Sequence, residues 1–151
     1  MILTPYNVAN VTRAIESCLR ADVRLANVAV ERSAEVNADP ARCPWVGIYR
    51  ARIEYPSRTL GLGAGYRGQR MQLILLTQQS DGSSGEACED AIEALNVDVL
   101  SVLLTDPTLG GVVSTLDEID IQYPDYQRTS GGRFVQTAAI YITALGGITA
   151  T

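Results

Sequence analysis

Apolar and polar positions along this chain follow two periods, and the points where the period changes mark out its elements. From Val8 onward the apolar residues Val11, Ile15, Cys18 and Leu19 recur at helical spacing, while Arg13, Glu16, Ser17 and Arg20 face away. A surface helix ending near Asp22 is expected. Thr4 followed by Pro5 has the form of an N-cap with proline at the first helical position, which predicts where that helix starts. Residues 27–34 alternate loosely through Val28 and Val30, as a short edge strand does, and Asp39, Pro40 and Pro44 mark a loop. From Trp45 to Tyr55 the period is two. Tyr49, Ala51, Ile53 and Tyr55 are expected on a dry face, and Arg50, Arg52 and Glu54 on a charged one. The run Arg70 to Gln78 is continuously apolar through Leu73, Ile74, Leu75 and Leu76, which predicts a central strand covered on both sides.

The most informative stretch runs from Ser83 to Tyr123 and reads as helix, tight turn and strand. Ser83 and Glu86 have the spacing of a capping box, and Glu86, Glu89 and Asp90 lie in the opening turns, where the helix dipole favours acids. Cys88, Ala91, Ile92, Leu95, Val99, Val102 and Leu103 share one face, which belongs on a core. Val97, Leu100 and Leu104 form a second apolar stripe on the face that Glu86, Asp90 and Glu93 occupy earlier, so something is expected to cover that end as well. Pro107 withholds a backbone donor and marks the stop, and Gly110 with Gly111 supplies the backbone freedom for a reversal. After the returning strand, residues 124–132 form a polar loop. Phe134 to Leu145 is a last strand in which Ala138 and Ala139 permit close packing, and the tail from Gly146 has little to hold it.

Together these elements predict an α+β fold: a mixed, mainly antiparallel sheet of about five strands with two helices packed on one face, in the order α-β-β-β-α-β-β. The 151 residues are enough for one domain with a real core, and no second domain is required. Residues 56–69, PSRTLGLGAGYRGQ, contain Arg58 and Arg67 and have no steady period. A connection that long between two strong strands is expected to protrude as an arm with a job of its own.

Composition narrows the chemistry. A net charge of -5 disfavours a surface dedicated to gripping phosphate backbones. All 12 basic residues are arginine, a side chain suited to planar contacts with carboxylates and aromatics, although a coding bias toward arginine explains the same fact. No apolar run approaches the ~18 residues that span a bilayer. No basic segment followed by an apolar signal core opens the chain, so it is expected to stay in the cytoplasm. Cys18, Cys43 and Cys88 are too scattered for a zinc motif or a disulfide framework, and packing is the better account of Cys18 and Cys88.

Gly63, Gly65 and Gly68 match the dinucleotide fingerprint letter for letter, yet that motif needs a helix N-terminus to follow, and here a strand follows. With no lysine there is no P-loop or Schiff base, and with no histidine the usual general base and metal ligand are missing. Asp117, Glu118 and Asp120 lie on one strand, with Asp117 expected opposite to the other two, and their spacing is not that of a calcium loop. No catalytic residue, cofactor or metal is therefore assigned. What remains are parts of interfaces: Arg50, Arg52 and Arg70 on strands, Arg58 and Arg67 on the arm, Val97, Leu100 and Leu104 on the second helix, and Glu118 with Asp120 on an acidic strand. Contact of Arg50 and Arg52 with Glu118 and Asp120 of a neighbouring copy is one way to close a ring.

Over most of its length the chain resembles the tail terminator, or tail completion, proteins of long-tailed bacteriophages. The resemblance is carried by the first helix leading into Ala21 and Asp22, the approach to a strand through Cys43, Pro44 and Trp45, and the acidic start Glu86 to Asp90 of the second helix. It continues through the turn Leu104 to Gly110 and the strands near Ile119 to Tyr123 and Phe134 to Ile142. It implies a structural protein that caps the tail tube as a ring of six copies, ends tail elongation and joins the tail to the head connector, with DNA passing through without specific binding. It further implies residence in the virion at the head-proximal end of the tail after assembly in the host cytoplasm. Partners would be other copies, the tube protein and the connector, with no membrane, no cofactor and no catalytic residues. The arm resembles the long strand connection that reaches neighbouring subunits or the tube in such rings. Three alternatives stay open: another head-tail neck or connector component, a small enzyme using carboxylates such as Glu118 and Asp120 with the arm as a lid, and a monomeric or dimeric binding module.

Overall fold

A computed structural model describes residues 3–4, 7–36, 39–54, 57–58, 66–124, 127–147 and 149–150, of which 3–4, 57–58, 66–68, 128, 147 and 149–150 are described by backbone alone. Strand β1 (Leu3–Thr4) precedes helix α1 (Val8–Ala21), a 3-10 turn (Val23–Leu25) and β2 (Ala29–Arg32). A second 3-10 turn (Pro40–Arg42) leads to β3 (Trp45–Glu54), β4 (Ser57–Arg58) and the long β5 (Tyr66–Asp81). Helix α2 (Gly85–Thr105) is followed by β6 (Thr115–Gln122), β7 (Arg128–Ser130), β8 (Arg133–Gly147) and β9 (Thr149–Ala150). The main elements follow the expected order, and the fold is α+β.

The main path of the sheet is β2-β3-β5-β8-β6, with β4 added beside β5 and β7 beside β8. Every pairing is antiparallel except β2 with β3, which makes the sheet mixed and puts a short parallel strand at one edge. At the centre, β5 and β8 pair from Gly68↔Gly147 to Asp81↔Phe134. Both strands are longer than the apolar pattern implies. The glycine-rich connection is correspondingly shorter, because Ser57 pairs with Arg67 and Arg58 with Tyr66, extending the β3–β5 hairpin. The rest of the arm, residues 59–65, lies outside the described residues. The chain ends also correct an expectation: Leu3 and Thr4 pair with Ala150 and Thr149, so backbone hydrogen bonds hold a tail that sequence alone leaves free.

That pairing explains why the first helix starts late. Thr4 is drawn into a strand, and the cap passes to Asn7, whose Oδ1 accepts from the Ala9 N–H at 2.9 Å. The cap of α2 also moves by one residue. Asp81 at the end of β5 accepts from both the N–H and the hydroxyl of Ser83, so Ser84 caps instead, its Oγ accepting from the Ala87 N–H at 3.0 Å. The C-terminal end behaves as Pro107 predicts, with the helix stopping at Thr105. Asp106 then pins the turn by accepting from the Thr108 hydroxyl and the Gly110 N–H, and Gly110 and Gly111 take φ of 70° and 90°, where a Cβ is strained.

Both helices cover one face of the sheet, α1 over β2 and β3, α2 over β5 and β8. Val11, Ile15 and Leu19 of α1 and Cys88, Ile92, Leu95, Val99, Val102 and Leu103 of α2 close on Val46, Ile48, Met71, Leu73, Leu75, Ile140 and Ile142. Removal of such side chains from water supplies about 1.5–3 kcal/mol each. One polar pair sits inside this layer. Thr77 on β5 donates to Asn96 Oδ1 on α2 at 2.6 Å, both residues being buried.

Two bulges interrupt the simple alternation of β3 and β6. Arg50 pairs with Leu73 and Arg52 with Gln72, leaving Ala51 as an extra residue. Asp117 pairs with Thr143 and Ile119 with Ile142, leaving Glu118 extra, with a φ of 46°. An added residue reverses which face every later side chain occupies. Arg50 therefore stands on the helix face with Leu73, while Arg52 and Glu54 stand on the open face with Gln72 and Arg70. Ile53, expected dry, is 41% exposed beyond the helices. Asp117 and Asp120 share the open face, and the expected opposition of Asp117 to Asp120 is overturned.

Candidate interaction surfaces

Neither helix covers the open face of the sheet, and its two halves differ. Beneath β3 it is closed by the segment after β2. Trp45 is fully buried there, its Nε1 donating to Glu31 Oε2 at 3.1 Å while the Arg42 guanidinium stacks 3.5 Å above its ring centroid. Arg42 also donates to the Glu35 carbonyl, and the Tyr49 hydroxyl donates to the Ala34 carbonyl. Nε and Nη2 of Arg42 have no hydrogen-bond partner among the described residues, and the face of the indole beneath them compensates in part by cation-π attraction. Gly47 is the position that permits this cover, because a Cβ there falls 2.3 Å from the Trp45 ring.

The other half of the open face is a polar strip. A small depression is lined by Arg52, Glu54, Arg70, Gln72 and Thr143, and a broader one of about 640 Å³ by Gln72, Glu118, Ile119, Asp120, Gln122, Tyr141 and Thr143. Arg52 pairs with Glu54 at 2.9 Å and Arg70 with Glu118 at 3.2 Å. Both pairs are largely solvated, and such pairs are worth no more than about 1 kcal/mol. They leave Asp117 without a basic partner among the described residues, and Asp120 with a hydrogen bond from Gln122. Of the arginines singled out in the sequence, Arg50 and Arg52 are exposed and Arg70 half-buried, while the side chains of Arg58 and Arg67 lie outside what is described.

The second surface runs along α2. Arg24 of the first 3-10 turn, raised chiefly by its hydrogen bond to Asp22, also feels Asp98, and Cys18 on α1, raised chiefly by burial, also feels Asp106, so these acids lie toward the side of α2 that faces α1. At 100° per residue, Glu86, Glu89, Glu93, Val97, Leu100 and Leu104 form a stripe pointing away from α1. Its first half is acidic and borders an open groove of about 930 Å³ shared with Gly85, Tyr123, Pro124, Gln127 and Gln136. Its second half is apolar. Val97 and Leu104 are 57% and 58% exposed, and Leu100 packs partly against the core. The hydroxyls of Ser101 and Thr105 donate back to Val97 and Ser101 carbonyls, so they add little polarity to this end.

All three cysteines are reduced, and burial raises each thiol, Cys43 to about 11, which leaves them protonated and unreactive near neutrality. Among the described residues no group of three or more histidine, cysteine or acidic side chains is placed to hold a metal ion, and no helix is long and apolar enough to cross a membrane. The strand that begins at Tyr66 takes the place of the helix that the glycine fingerprint requires.

Sequence reasoning missed one feature that emerges from placing the charges on the fold. Ten of the twelve arginines lie in residues 1–70 and none in residues 71–127, which hold eleven of the seventeen acids. The signal is the run of 57 residues without a positive charge, which periodicity analysis does not register.

No family model matches this chain, and no curated protein matches it. Among solved structures it is similar to a chain described as "Virion of native gene transfer agent (GTA) particle", with a TM-score of 0.50 and 14% identity over 97% of this chain and 100% of the other. At that identity the likeness is one of fold, and the two chains share it over nearly their whole lengths.

Proposed function

We propose that this chain is a structural component of a phage-like virion, and within it the ring that terminates the tail. The observation that supports this most is the end-to-end fold likeness to a chain of a gene transfer agent particle. The resemblance of the sequence to tail terminators supports the finer part. The surfaces agree with such a role: a solvated open sheet face, an α2 stripe ending in exposed Val97 and Leu104, and a hairpin extension beyond the sheet. In this reading copies join as a ring of six on the tube, one rim meets the head connector, and DNA passes an acidic protein that does not grip it. Arg50, Arg52, Arg70, Leu100, Glu118 and Asp120 supply contacts to neighbours or tube, with Arg58 and Arg67 on the arm.

Light scattering on the purified protein, alone and with its tube protein, tests this. The expected result is a six-fold mass, or a ring that forms on the tube. A monomer that ignores tube protein at every concentration sinks the proposal. Deletion of residues 61–65, which spares the residues of β5 paired with Ser57, Arg58 and Gly147, is a second test: the domain is expected to fold and fail to assemble, and normal assembly would remove the arm from the interface.

A further inference from the structure

We infer that the groove between α2 and the end of β6 docks an amphipathic helix of another protein, one that carries arginine or lysine over Glu86, Glu89 and Glu93 and apolar side chains over Ile121 and Tyr123. This docking goes beyond the ring reading above and does not depend on it.

The groove exists because two helices do not cover five strands. Packed helices lie about 8–10 Å apart and paired strands about 4.8 Å apart, so each helix covers about two strands. α1 takes the β2 and β3 end of the sheet and α2 takes β5 and β8, which leaves β6 with no helix seated on it. The turn after α2 covers the start of β6, where Leu109, Val113 and Leu116 are buried. Toward the other end the cover stops. Ile119 and Ile121, on the helix side opposite Ile142 and Ile140, are only half-buried, and Tyr123 is 49% exposed. Glu86, Glu89 and Glu93 form the α2 wall of the groove, which Leu100 continues. Gln127 closes one end by donating to the Gly85 carbonyl and to Gln136 Oε1, so the chain's own hydrogen bonds fix the shape there. Asn96, seven residues after Glu89 on the same side of α2, is buried with no hydrogen-bond partner for Nδ2 among the described residues, a donor that the fold itself does not satisfy.

Charge selects the occupant. Glu86, in the first turn of α2, answers the helix dipole, but Glu89 and Glu93 lie one and two turns further on, beyond the reach of that effect. None of the three has a basic partner among the described residues, so the wall is negative and a groove concentrates its field. A guanidinium placed there pairs with a carboxylate and stacks on the exposed Tyr123 ring. A nucleic acid or an anionic membrane is repelled. A second copy is disfavoured as well, because the apolar faces of its helices, Val11, Ile15 and Leu19 in α1 and Ile92, Val99 and Leu103 in α2, are buried in its own core. The occupant is therefore a helix from a different chain, laid in the groove by its apolar stripe. From Glu86 to Leu100 the wall runs about 21 Å, or about four helical turns. Antiparallel alignment with α2 is favoured, since it brings the partner's C-terminal end, where its own dipole favours basic residues, over the glutamates. Val97 and Leu104, on the crest of α2, stay available to a neighbouring copy.

Three synthetic peptides of about four helical turns test the docking. One carries a leucine stripe at helical spacing with arginines flanking it in the C-terminal half; the second replaces those arginines by glutamate; the third keeps the arginines and scrambles the order so that no stripe remains. Fluorescence anisotropy of the labelled peptides at physiological ionic strength should show the first binding at least about tenfold more tightly than either of the others, because only it satisfies both the acidic wall and the apolar floor. Its amide shift changes on the protein should centre on residues 86–100, 119–124 and 136. Glu89→Gln with Glu93→Gln, and separately Tyr123→Ala, alter exposed side chains and should each weaken binding by about fivefold or more while leaving the urea midpoint near that of the unmodified chain. Binding of none of the peptides, equal binding of the arginine and glutamate helices, or shifts that lie outside the groove would overturn the docking. So would self-association that Tyr123→Ala abolishes, since a second copy then fills the groove. None of these results bears on whether copies form a ring.

Discussion

Thr77 and Asn96 offer a sharp test of how α2 is seated on the sheet. The Thr77 hydroxyl donates to Asn96 Oδ1 at 2.6 Å, both residues are at most 2% exposed, and Asn96 Nδ2 has no hydrogen-bond partner among the described residues. Thr77→Val keeps the shape and removes the donor, so the Asn96 carbonyl oxygen is left dry and unbonded. A buried polar atom in that condition costs about 1–3 kcal/mol, from which the added methyl group returns about 0.8 kcal/mol. The net loss is about 0.2–2 kcal/mol, which for a domain of this size lowers Tm by up to roughly 8 °C. Asn96→Leu keeps the branching, removes the unpartnered amide N–H groups and orphans the Thr77 hydroxyl, so its net cost is expected to be small. The double variant removes both ends of the bond together with the existing unpaired amide, and its stability should lie within about 1 kcal/mol of the original. Urea unfolding followed by Trp45 fluorescence and circular dichroism gives the four free energies of the cycle. A coupling of about 1–3 kcal/mol is expected. If the double variant instead loses the sum of the two single losses, the residues are not coupled and the seat of α2 has been misassigned.

Three further outcomes follow from other parts of the molecule. Gly47→Ala places a methyl group into the Trp45 ring, and the shift it forces should cost about 1–3 kcal/mol and red-shift tryptophan emission; unchanged emission would show that the indole does not lie over Gly47. Val97→Asp and Leu104→Asp alter exposed positions and should change the folding free energy by less than about 0.5 kcal/mol while weakening assembly, so a collapse of folding would place these side chains in the core instead. The Asp22 carboxyl is held at about 2, against an ordinary 3.8, chiefly by the Arg24 side chain and then by the Arg24 backbone N–H. A depressed carboxylate stabilises above the unfolded value and loses that contribution as pH falls toward the folded one. Between pH 4 and pH 2 the original chain should therefore lose Tm more steeply than Asp22→Asn, and parallel curves would contradict the assignment.

The sequence made legible what depends on neighbours a few residues away. The face of α2 from Cys88 to Leu103 followed from its period, its end from Pro107, and the reversal from Gly110 and Gly111. The exposure of Val97 and Leu104 was also visible, since they recur on a face that begins with glutamates. Features set by distant partners were not. Thr4 has a good capping side chain, but its backbone is claimed by Thr149, nearly the whole chain away. Ser83 loses its cap to Asp81, a competition between near neighbours that the capping-box spacing alone does not register. Asn96 reads as a polar break in an apolar face until Thr77 is placed beneath it. Alternation itself misled at Arg52 and Glu118, because a strand with one extra residue has the same composition as a regular one. The facing of the acids on β6 therefore had to be observed.

Those two extra residues have an evolutionary consequence. Ala51 and Glu118 stand outside the ladder, and the residues on either side of each already pair with consecutive partners on the neighbouring strand. Loss of the Ala51 or Glu118 codon would close the ladder without moving any other side chain to the opposite face, and at Glu118 it would also remove a non-glycine residue from φ 46°. Related chains are therefore expected to differ by single-residue gaps at these two places in the middle of strands, where gaps are otherwise rare, and an alignment that forces such gaps into the loops would misassign every residue between.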